Sequence, residues 1–366
     1  MTSDRVDRAP LRGATCGIAA AALFGASAPV AKLLLPEARP LVLAALLYAG
    51  AALALTIGRA VRSRRRGTAA AAGDEAEPRL RRSDWTALAA VTISGGVIGP
   101  VLMLLGLERV SGVAGSLLLN LEAPFTMLVA VALFREHVDR RGVAAAALIV
   151  GGGLALAWSA GDLSADPLGA LALAGACLAW AVDNNLTQRL SLRDPVAIVQ
   201  LKASGAALGN ALLAASLDAS ARVPDRRVVG AALVLGALSY GASILLDVYA
   251  LRLVGAAREA AYFATAPFFG ALLAVPLLGE RIGVREALAA TLMIAGVRLL
   301  LRERHEHLHR HAPLLHEHVH THDDGHHAHA HDAPVAPGVA HSHPHAHEAV
   351  AHSHPHVSDA HHRHEH

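Results

Sequence analysis

Cysteine and aromatic residues are scarce in this sequence. Of its 366 residues only 2 are Cys, and only 4% are Phe, Trp or Tyr. Cys16 and Cys177 both lie in apolar runs. They form neither a disulfide framework nor a cysteine metal site, and we interpret them as packing residues. A soluble core with so few aromatic side chains would be unusual, whereas membrane helices commonly pack through small residues.

Charge is scarce as well. Charged residues make up 17% of the chain, against about 25% in a typical soluble domain. The formal net charge of +2 gives no indication of nucleic-acid binding. The sequence contains no phosphate-binding loop, Ser/His/Asp set or GxSxG motif. These absences argue against an enzyme and against an ATP-driven pump, and they indicate that no cofactor is required.

Long apolar runs dominate the rest of the chain, and 54% of all residues are hydrophobic. A membrane helix needs about 20 mostly apolar residues to cross the hydrocarbon layer. Ten stretches fit: 13–35, 40–58, 85–105, 113–134, 142–159, 168–188, 196–217, 229–250, 257–278 and 284–301. The first could instead be a cleaved signal peptide, but it stays apolar through Leu35, which favours an uncleaved helix. The sequence predicts an all-α polytopic membrane protein with ten transmembrane helices.

The distribution of arginine predicts the orientation in the cell (inner) membrane. With the N-terminus in the cytoplasm, segments on that side hold 22 arginines up to residue 310, and segments on the opposite side hold 7. The loop at 218–228 runs against this bias. Residues 1–12 would then form a cytoplasmic N-terminus and 58–84 a basic cytoplasmic loop. Ten helices place the C-terminus in the cytoplasm too.

The two halves of the apolar region resemble each other in sequence. Ala123-Pro124-Phe125 in the first half matches Ala266-Pro267-Phe268 in the second. Each of these helices then runs to a terminal glutamate, Glu136 or Glu280, and a Gly-Val pair opens the next helix. The sequence therefore predicts an internal repeat.

The repeat divides the membrane region into two five-helix units, residues 13–159 and 168–301. Because five is an odd number, the units would insert in opposite orientations. Inverted 5+5 repeats recur in transporters, with the substrate site near the midplane. Pro124 and Pro267 would each free a backbone carbonyl and permit a helix bend, although they could also serve packing alone.

These residues resemble those of EamA-type members of the drug/metabolite transporter superfamily. The resemblance covers about residues 13–301 and rests on these features: Phe24-Gly25-Ala26-Ser27 with Lys32, Leu119–Glu136, Trp180, and Ala266–Glu280. It implies secondary transport of a small solute, such as an amino acid or another metabolite, without naming the cargo. The histidine-rich C-terminus lies outside the family core.

Ionisable residues within the predicted helices are functional candidates, because each costs about 2.5–3.5 kcal/mol to insert. The candidates for a substrate or proton path are Glu122, Asp183, Asn120, Asn184, Lys202 and Asp247. Glu122 lies near the middle of its helix, and Asn120 cannot share its face. Lys202 and Asp247 could reach the membrane surface or form one ion pair. Buried carboxylates bind a cation or carry a proton, unless they only make a structural hydrogen bond.

The C-terminal segment 302–366 is the strongest single signal, since 23 of the 24 histidines lie between residues 305 and 366. With almost nothing to build a core, it is predicted to be disordered. Many of the histidines alternate with other residues: His305, His307, His309, His311, His316, His318, His320, His322, His341, His343, His345, His352, His354 and His356.

Neutral imidazole suits divalent transition metals such as Ni²⁺, Co²⁺, Zn²⁺ or Cu²⁺. A flexible tail would bind several ions in many nearly equivalent registers, and would release them as the pH falls below about 6.5. The main hypothesis is an exporter working by alternating access, with a cytoplasmic metal-binding tail, that moves or senses divalent metal. The alternatives are a metabolite or amino-acid exporter with an independent tail, or a membrane-anchored metal sink or sensor. A homodimer is left open.

Overall fold

The structure is a computed structural model, and twelve parts of the chain are described. They are residues 9–67, 80–134, 138–157, 166–187, 190, 193–217, 223–254, 256–301, 305–310, 314–320, 341–347 and 351–356. Parts of the predicted N-terminus and of the basic loop, together with Glu136, His311 and His322, lie outside these ranges.

The first half of the chain forms helices close to the predicted runs. They are α1 (Ala9–Gly25), α2 (Ser27–Leu34), α3 (Pro40–Gly67), α4 (Asp84–Val91), α5 (Gly99–Leu107), α6 (Gly112–Leu118), α7 (Glu122–Phe134) and α8 (Arg140–Ala157). Helix α3 continues nine residues beyond the predicted end at residue 58. Arginine is a good helix former, and no strong helix breaker occurs between Gly58 and Gly67.

The second half follows the same order of elements. Its helices are α9 (Pro167–Thr187), α10 (Pro195–Leu217), α11 (Arg226–Gly236), α12 (Ser243–Val254), α13 (Ala256–Phe263), α14 (Ala266–Leu278) and α15 (Val284–Leu301). Asp225 caps α11 by accepting a hydrogen bond from Arg227 N–H at 2.8 Å. Gly279 ends α14 in the left-handed region, with φ 66°.

Nine helical spans of the described chain are long and apolar enough to cross a membrane. Seven of the predicted runs correspond to one helix or to a kinked pair among α1–α10, and two more to α11–α12 and α13–α14. The tenth predicted run is also a helix, α15, but it carries three charged residues, Arg285, Glu286 and Arg298. These charges lie in its first and last turns, where side chains reach the headgroups.

Five spans are interrupted, the first span at Ala26 and four others in matching pairs. A π-helical segment joins α4 to α5 (Thr92–Ile98), and another joins α11 to α12 (Ala237–Ala242). A 3₁₀ turn, Leu119–Leu121, separates α6 from α7. The chain also leaves the helix between α13 and α14. Pro124 and Pro267 lie in the first turn of the helix that follows each of the last two breaks.

Contacts between the two halves hold the bundle together. We number the nine spans in chain order from 1 to 9 and give α15 the number 10. Span 1 packs on span 8, span 2 on span 7, and span 3 on span 6. Span 4 packs on span 9, and span 5 on span 10. The polar residues discussed below lie between spans 2, 3, 4, 6 and 7.

The tail differs from the prediction of disorder in four short ranges. Strands β1 (His305–Arg310) and β4 (Ala351–His356) pair antiparallel, and so do β2 (Leu314–His320) and β3 (His341–His347). Alternation of one residue type at every second position is also the period of a strand. Pro344 and Pro355 fit because every strand of a two-stranded ribbon is an edge strand. Nothing beyond the backbone is described for these residues.

Candidate functional site

A buried ion pair joins α9 to α10. Lys202 Nζ donates to Asp183 Oδ2, and the two side chains are 21% and 6% exposed. Thr187 Oγ1 donates to the other carboxylate oxygen at 3.3 Å. The alternative that Lys202 pairs with Asp247 is therefore wrong, because the rotation of α9 turns Asp183 towards Lys202.

The π-helical segment of span 3 supports this pair. A π turn leaves backbone carbonyls without their usual helical partners. Gly95 O accepts hydrogen bonds from Tyr48 Oη at 2.9 Å and from Trp180 Nε1 at 3.0 Å. Gly95 also touches Asp183 so closely that a Cβ at this position would overlap the carboxylate. The glycine thus lets the backbone of span 3 lie directly against the ion pair.

Glu122 adds a second carboxylate close by. It begins α7, directly after the 3₁₀ turn, and its Oε1 accepts a hydrogen bond from Asn184 Nδ2 at 2.7 Å. The charges of Asp183 and Lys202 both act on it. Asn184 is exposed, whereas Asp183 is buried. The end of the site formed by Glu122 and Asn184 therefore lies nearer the surface of the helix bundle.

Aromatic rings continue from the ion pair into the second half of the protein. The rings of Tyr48 and Tyr240 lie 5.3 Å apart. Phe24 lies 5.9 Å from Tyr240, edge to face, and 5.1 Å from Phe263. These rings come from spans 1, 2, 8 and 9, so both halves contribute to one region that joins charged groups to aromatic faces.

Two of the sequence candidates lie elsewhere. Asn120 Nδ2 donates to Leu117 O at 3.1 Å and lies 3.8 Å from Met293 Sδ, so it fills the break in span 4 and faces span 10. Asp247 lies close to Glu259 across spans 8 and 9. Its Oδ1 is buried and has no hydrogen-bond partner among the described residues. Asp247 and Glu259 thus form a second pair of carboxyl groups, separate from the ion pair.

Sequence reasoning missed several groups around the site: Tyr48, Gly95, Tyr240 and Glu259. Tyr48 and Tyr240 could have been noticed, because a tyrosine hydroxyl within an apolar span needs a partner. Glu259 lies in the first turn of α13, and a charged residue at the start of a helix gives little signal of a site. Gly95 carried no signal of its own in a chain with 32 glycines.

The end of the bundle where span 4 begins is held by charged side chains. Glu280 accepts hydrogen bonds from Gly112 N–H at 2.6 Å and from Val113 N–H at 2.8 Å, and so caps α6 from the other half. Lys32 Nζ donates to Leu107 O and Val110 O, both at 2.6 Å. These contacts close this end of the bundle.

An exposed ion pair lies beside this closed end. Arg109 Nη1 contacts Asp166 Oδ2 at 2.8 Å, ahead of α9. The hydrogen bond from Arg109 lowers the pKa of Asp166 below its ordinary value.

Among the residues whose side chains are described, no group of three or more His, Cys, Asp or Glu is arranged to hold a metal ion. The central site therefore offers charges and rings rather than a closed set of metal ligands. The side chains of the tail histidines lie outside this description.

Comparison with known proteins identifies the family of the chain. The model of the EamA-like transporter family matches the chain twice, over residues 11–158 and 167–302. The chain belongs to the EamA-like transporter family. As a family member it is a multi-pass membrane transporter of small solutes, which confirms the resemblance seen in the sequence.

Individual relatives support the same fold. An uncharacterized transporter of Methanothermobacter thermautotrophicus (strain Delta H) is 29% identical over 290 residues, covering 77% of this chain and 84% of its own. A protein of known crystal structure aligns with a TM-score of 0.58 at 19% identity, covering 79% of this chain and 96% of its own. The structural match bears on the fold alone.

Proposed function

We propose that this EamA-like transporter is a secondary transporter that works by alternating access between two inverted five-helix repeats, with α15 as its tenth span. The pairing of spans supports the proposal. A five-helix repeat relates each span to the one five places later, so the contact between spans 1 and 8 corresponds to the contact between spans 6 and 3. The contact between spans 4 and 9 corresponds to itself. The matched interruptions in spans 3 and 8, and in spans 4 and 9, support it too. The bonds of Glu280 and Lys32 close one end, while Asn184 is exposed towards the other.

The cargo is a small solute with a positive charge. The observation that carries this proposal is the set of Glu122, Asp183 and Lys202, whose formal charge is −1 within membrane spans. The rings of Tyr48 and Tyr240 beside it offer aromatic faces that attract cations. Together these groups favour an organic amine, and a divalent metal ion such as Ni²⁺, Co²⁺ or Zn²⁺ is the second candidate.

The energy for export would come from protons. Glu122 can exchange a proton for a cationic cargo, and the neighbouring carboxyl groups of Asp247 and Glu259 offer a second place for such an exchange. The arginine bias favours an inner-membrane protein with both termini in the cytoplasm, which puts the histidine-rich tail on the side where cargo is collected. There it would capture or sense divalent metal.

Cellular metal content under Ni²⁺, Co²⁺ or Zn²⁺ load tests the metal cargo. Cells would express nothing, the full chain, or a chain stopped after Arg304, and metal would be measured by mass spectrometry. Lower metal with the full chain identifies a metal exporter, and the truncation reports whether the tail supplies it. Higher metal only with the tail indicates a sink without transport. No change in any arm excludes metal as cargo, and labelled organic amines are then assayed for efflux.

A further inference from the structure

The histidine-rich tail contains two eleven-residue repeats, one on each side of the ribbon. His305-Glu306-His307-Leu308-His309 recurs eleven residues later as His316-Glu317-His318-Val319-His320. His341-Ser342-His343-Pro344-His345 recurs eleven residues later, at 352–356. Because both repeats have a period of eleven residues, a single antiparallel register can pair the first copy of one repeat with the second copy of the other, and the remaining two copies with each other.

The strand pairing uses this property. In the β1–β4 ladder, His305 lies opposite His356, His307 opposite His354, and His309 opposite His352. In the β2–β3 ladder, His316 lies opposite His345, His318 opposite His343, and His320 opposite His341. Three residues separate the ladders on each strand, so the second continues the register of the first.

The remaining positions repeat as well. Glutamate lies opposite proline in each ladder (Glu306 with Pro355, Glu317 with Pro344), and an aliphatic residue lies opposite serine (Leu308 with Ser353, Val319 with Ser342). The two ladders therefore have nearly the same chemistry. Within each one, the six histidines that lie opposite another histidine fall on one face, because residues two apart on a strand share a face and opposed residues share it too.

We propose that each ladder is one metal-binding site, so that the tail binds two divalent transition-metal ions tightly, one per ladder. Opposed residues of an antiparallel pair have Cβ atoms about 4.5–5.5 Å apart. Two neighbouring pairs thus place four histidine positions at this spacing, and tetrahedral Zn²⁺ takes four ligands, at about 2.0–2.1 Å for a histidine nitrogen. A two-stranded ribbon is only marginally stable alone, so metal binding would also stabilise the pairing.

This inference rests on the proposed metal-binding role of the tail and makes it specific. A disordered tail would bind ions in many equivalent registers, and its affinity would depend only on the number of histidines. A paired ladder depends on which positions they occupy. The two cases are separated by moving a histidine one residue along the chain without changing the composition.

The experiment titrates the purified full chain with Zn²⁺ against a competing chromophoric chelator. One variant exchanges neighbours in β3 (Ser342→His with His343→Ser), and another exchanges them in β4 (Ser353→His with His354→Ser). The matched control makes the same kind of exchange in the stretch of sequence that separates the two ladders (Ala328→His with His329→Ala). We expect two tight equivalents for the parent and the control, one for each ladder variant, and none when both ladder exchanges are combined.

Two results would overturn the inference in different ways. If the parent and all variants bind the same number of Zn²⁺ ions tightly, the ladders are not the metal-binding sites, but the tail still binds metal. If the parent itself binds no Zn²⁺ in competition with the chelator, both the ladders and the proposed metal-binding role of the tail are wrong. Hydrogen exchange of the backbone amides of 305–320 and 341–356 adds a second readout, since bound metal should slow exchange only in intact ladders.

Discussion

At the residue scale, the site depends on a few polar groups that satisfy one another inside the membrane. Asp183 lies against the backbone of Gly95, and its carboxylate accepts hydrogen bonds from Lys202 and Thr187. A charge removed from water is costly unless it is paired and hydrogen-bonded. Each group is therefore needed both for the stability of the bundle and for the charge that the site presents.

Breaking the ion pair should destabilise the protein. Lys202→Met leaves Asp183 as an unpaired buried charge, which typically costs about 3–5 kcal/mol. The double variant Asp183→Asn with Lys202→Met removes both charges, and it should recover much of that loss. The measurement is the free energy of unfolding in detergent micelles. If Lys202→Met alone is as stable as the parent protein, the pair is not a buried structural contact.

Gly95 should tolerate no side chain. Gly95→Ala places a methyl group into the space of the Asp183 carboxylate, so it should lower the unfolding temperature and abolish transport. Gly230→Ala is the matched control, because a Cβ there meets no atom within 4 Å. Equal behaviour of the two variants would contradict the close approach of span 3 to the ion pair.

Individual site residues were predictable from the sequence where the free-energy cost of inserting a polar side chain into the membrane marked them as unusual. Glu122, Asp183, Lys202 and Asn184 stood out because polar groups are rare in apolar runs, and the structure brings these four together. Their partners were not predictable. Which residue meets Lys202 depends on the rotation and depth of α9 and α10, and a single sequence does not contain these quantities.

At the scale of elements, helix breaks create the binding surfaces. The π segment in span 3 presents Gly95 O to Tyr48 and Trp180, and it presents Gly96 O to Asn210 Nδ2 at 3.0 Å. The break in span 4 exposes the carbonyl groups of Leu118 and Leu119, which lie 3.6 and 3.7 Å from the thiol of Cys177. The prolines gave a signal for the breaks in spans 4 and 9, whereas the π segments gave none.

Glu280 should matter as a cap between elements. Its carboxylate accepts two backbone N–H groups at the start of α6, where the helix dipole favours a negative charge. Glu280→Gln loses the charge and one of the two acceptors, so it should cost about 1–3 kcal/mol of stability. Glu286→Gln is the control, because Glu286 accepts at 2.9 Å only from Gly283, three residues before it, at an exposed position. Similar unfolding free energies for both variants would rule out the role of Glu280 as a cap.

At the scale of the whole molecule, the membrane architecture was largely readable from the sequence. Runs of about 20 apolar residues gave the helices, and the Ala-Pro-Phe repeat pointed to two related halves. Their mutual packing was not readable, since it depends on the many Gly and Ala contacts between spans. The tail was predicted to lack structure because its composition gives no core. Its strand pairing depends instead on two matching eleven-residue periods.

Ligand-induced stabilisation of the purified full chain tests the central claim most directly. A ligand that binds only the folded state raises the unfolding temperature. We would screen organic amines and divalent cations, and then repeat each hit on Glu122→Gln, on Asp183→Asn, and on the control Glu37→Gln, which changes an exposed loop residue. The account predicts a cationic hit whose stabilisation is lost in the two site variants and kept in the control. A hit that stabilises all four proteins equally would contradict a solute site at Glu122 and Asp183.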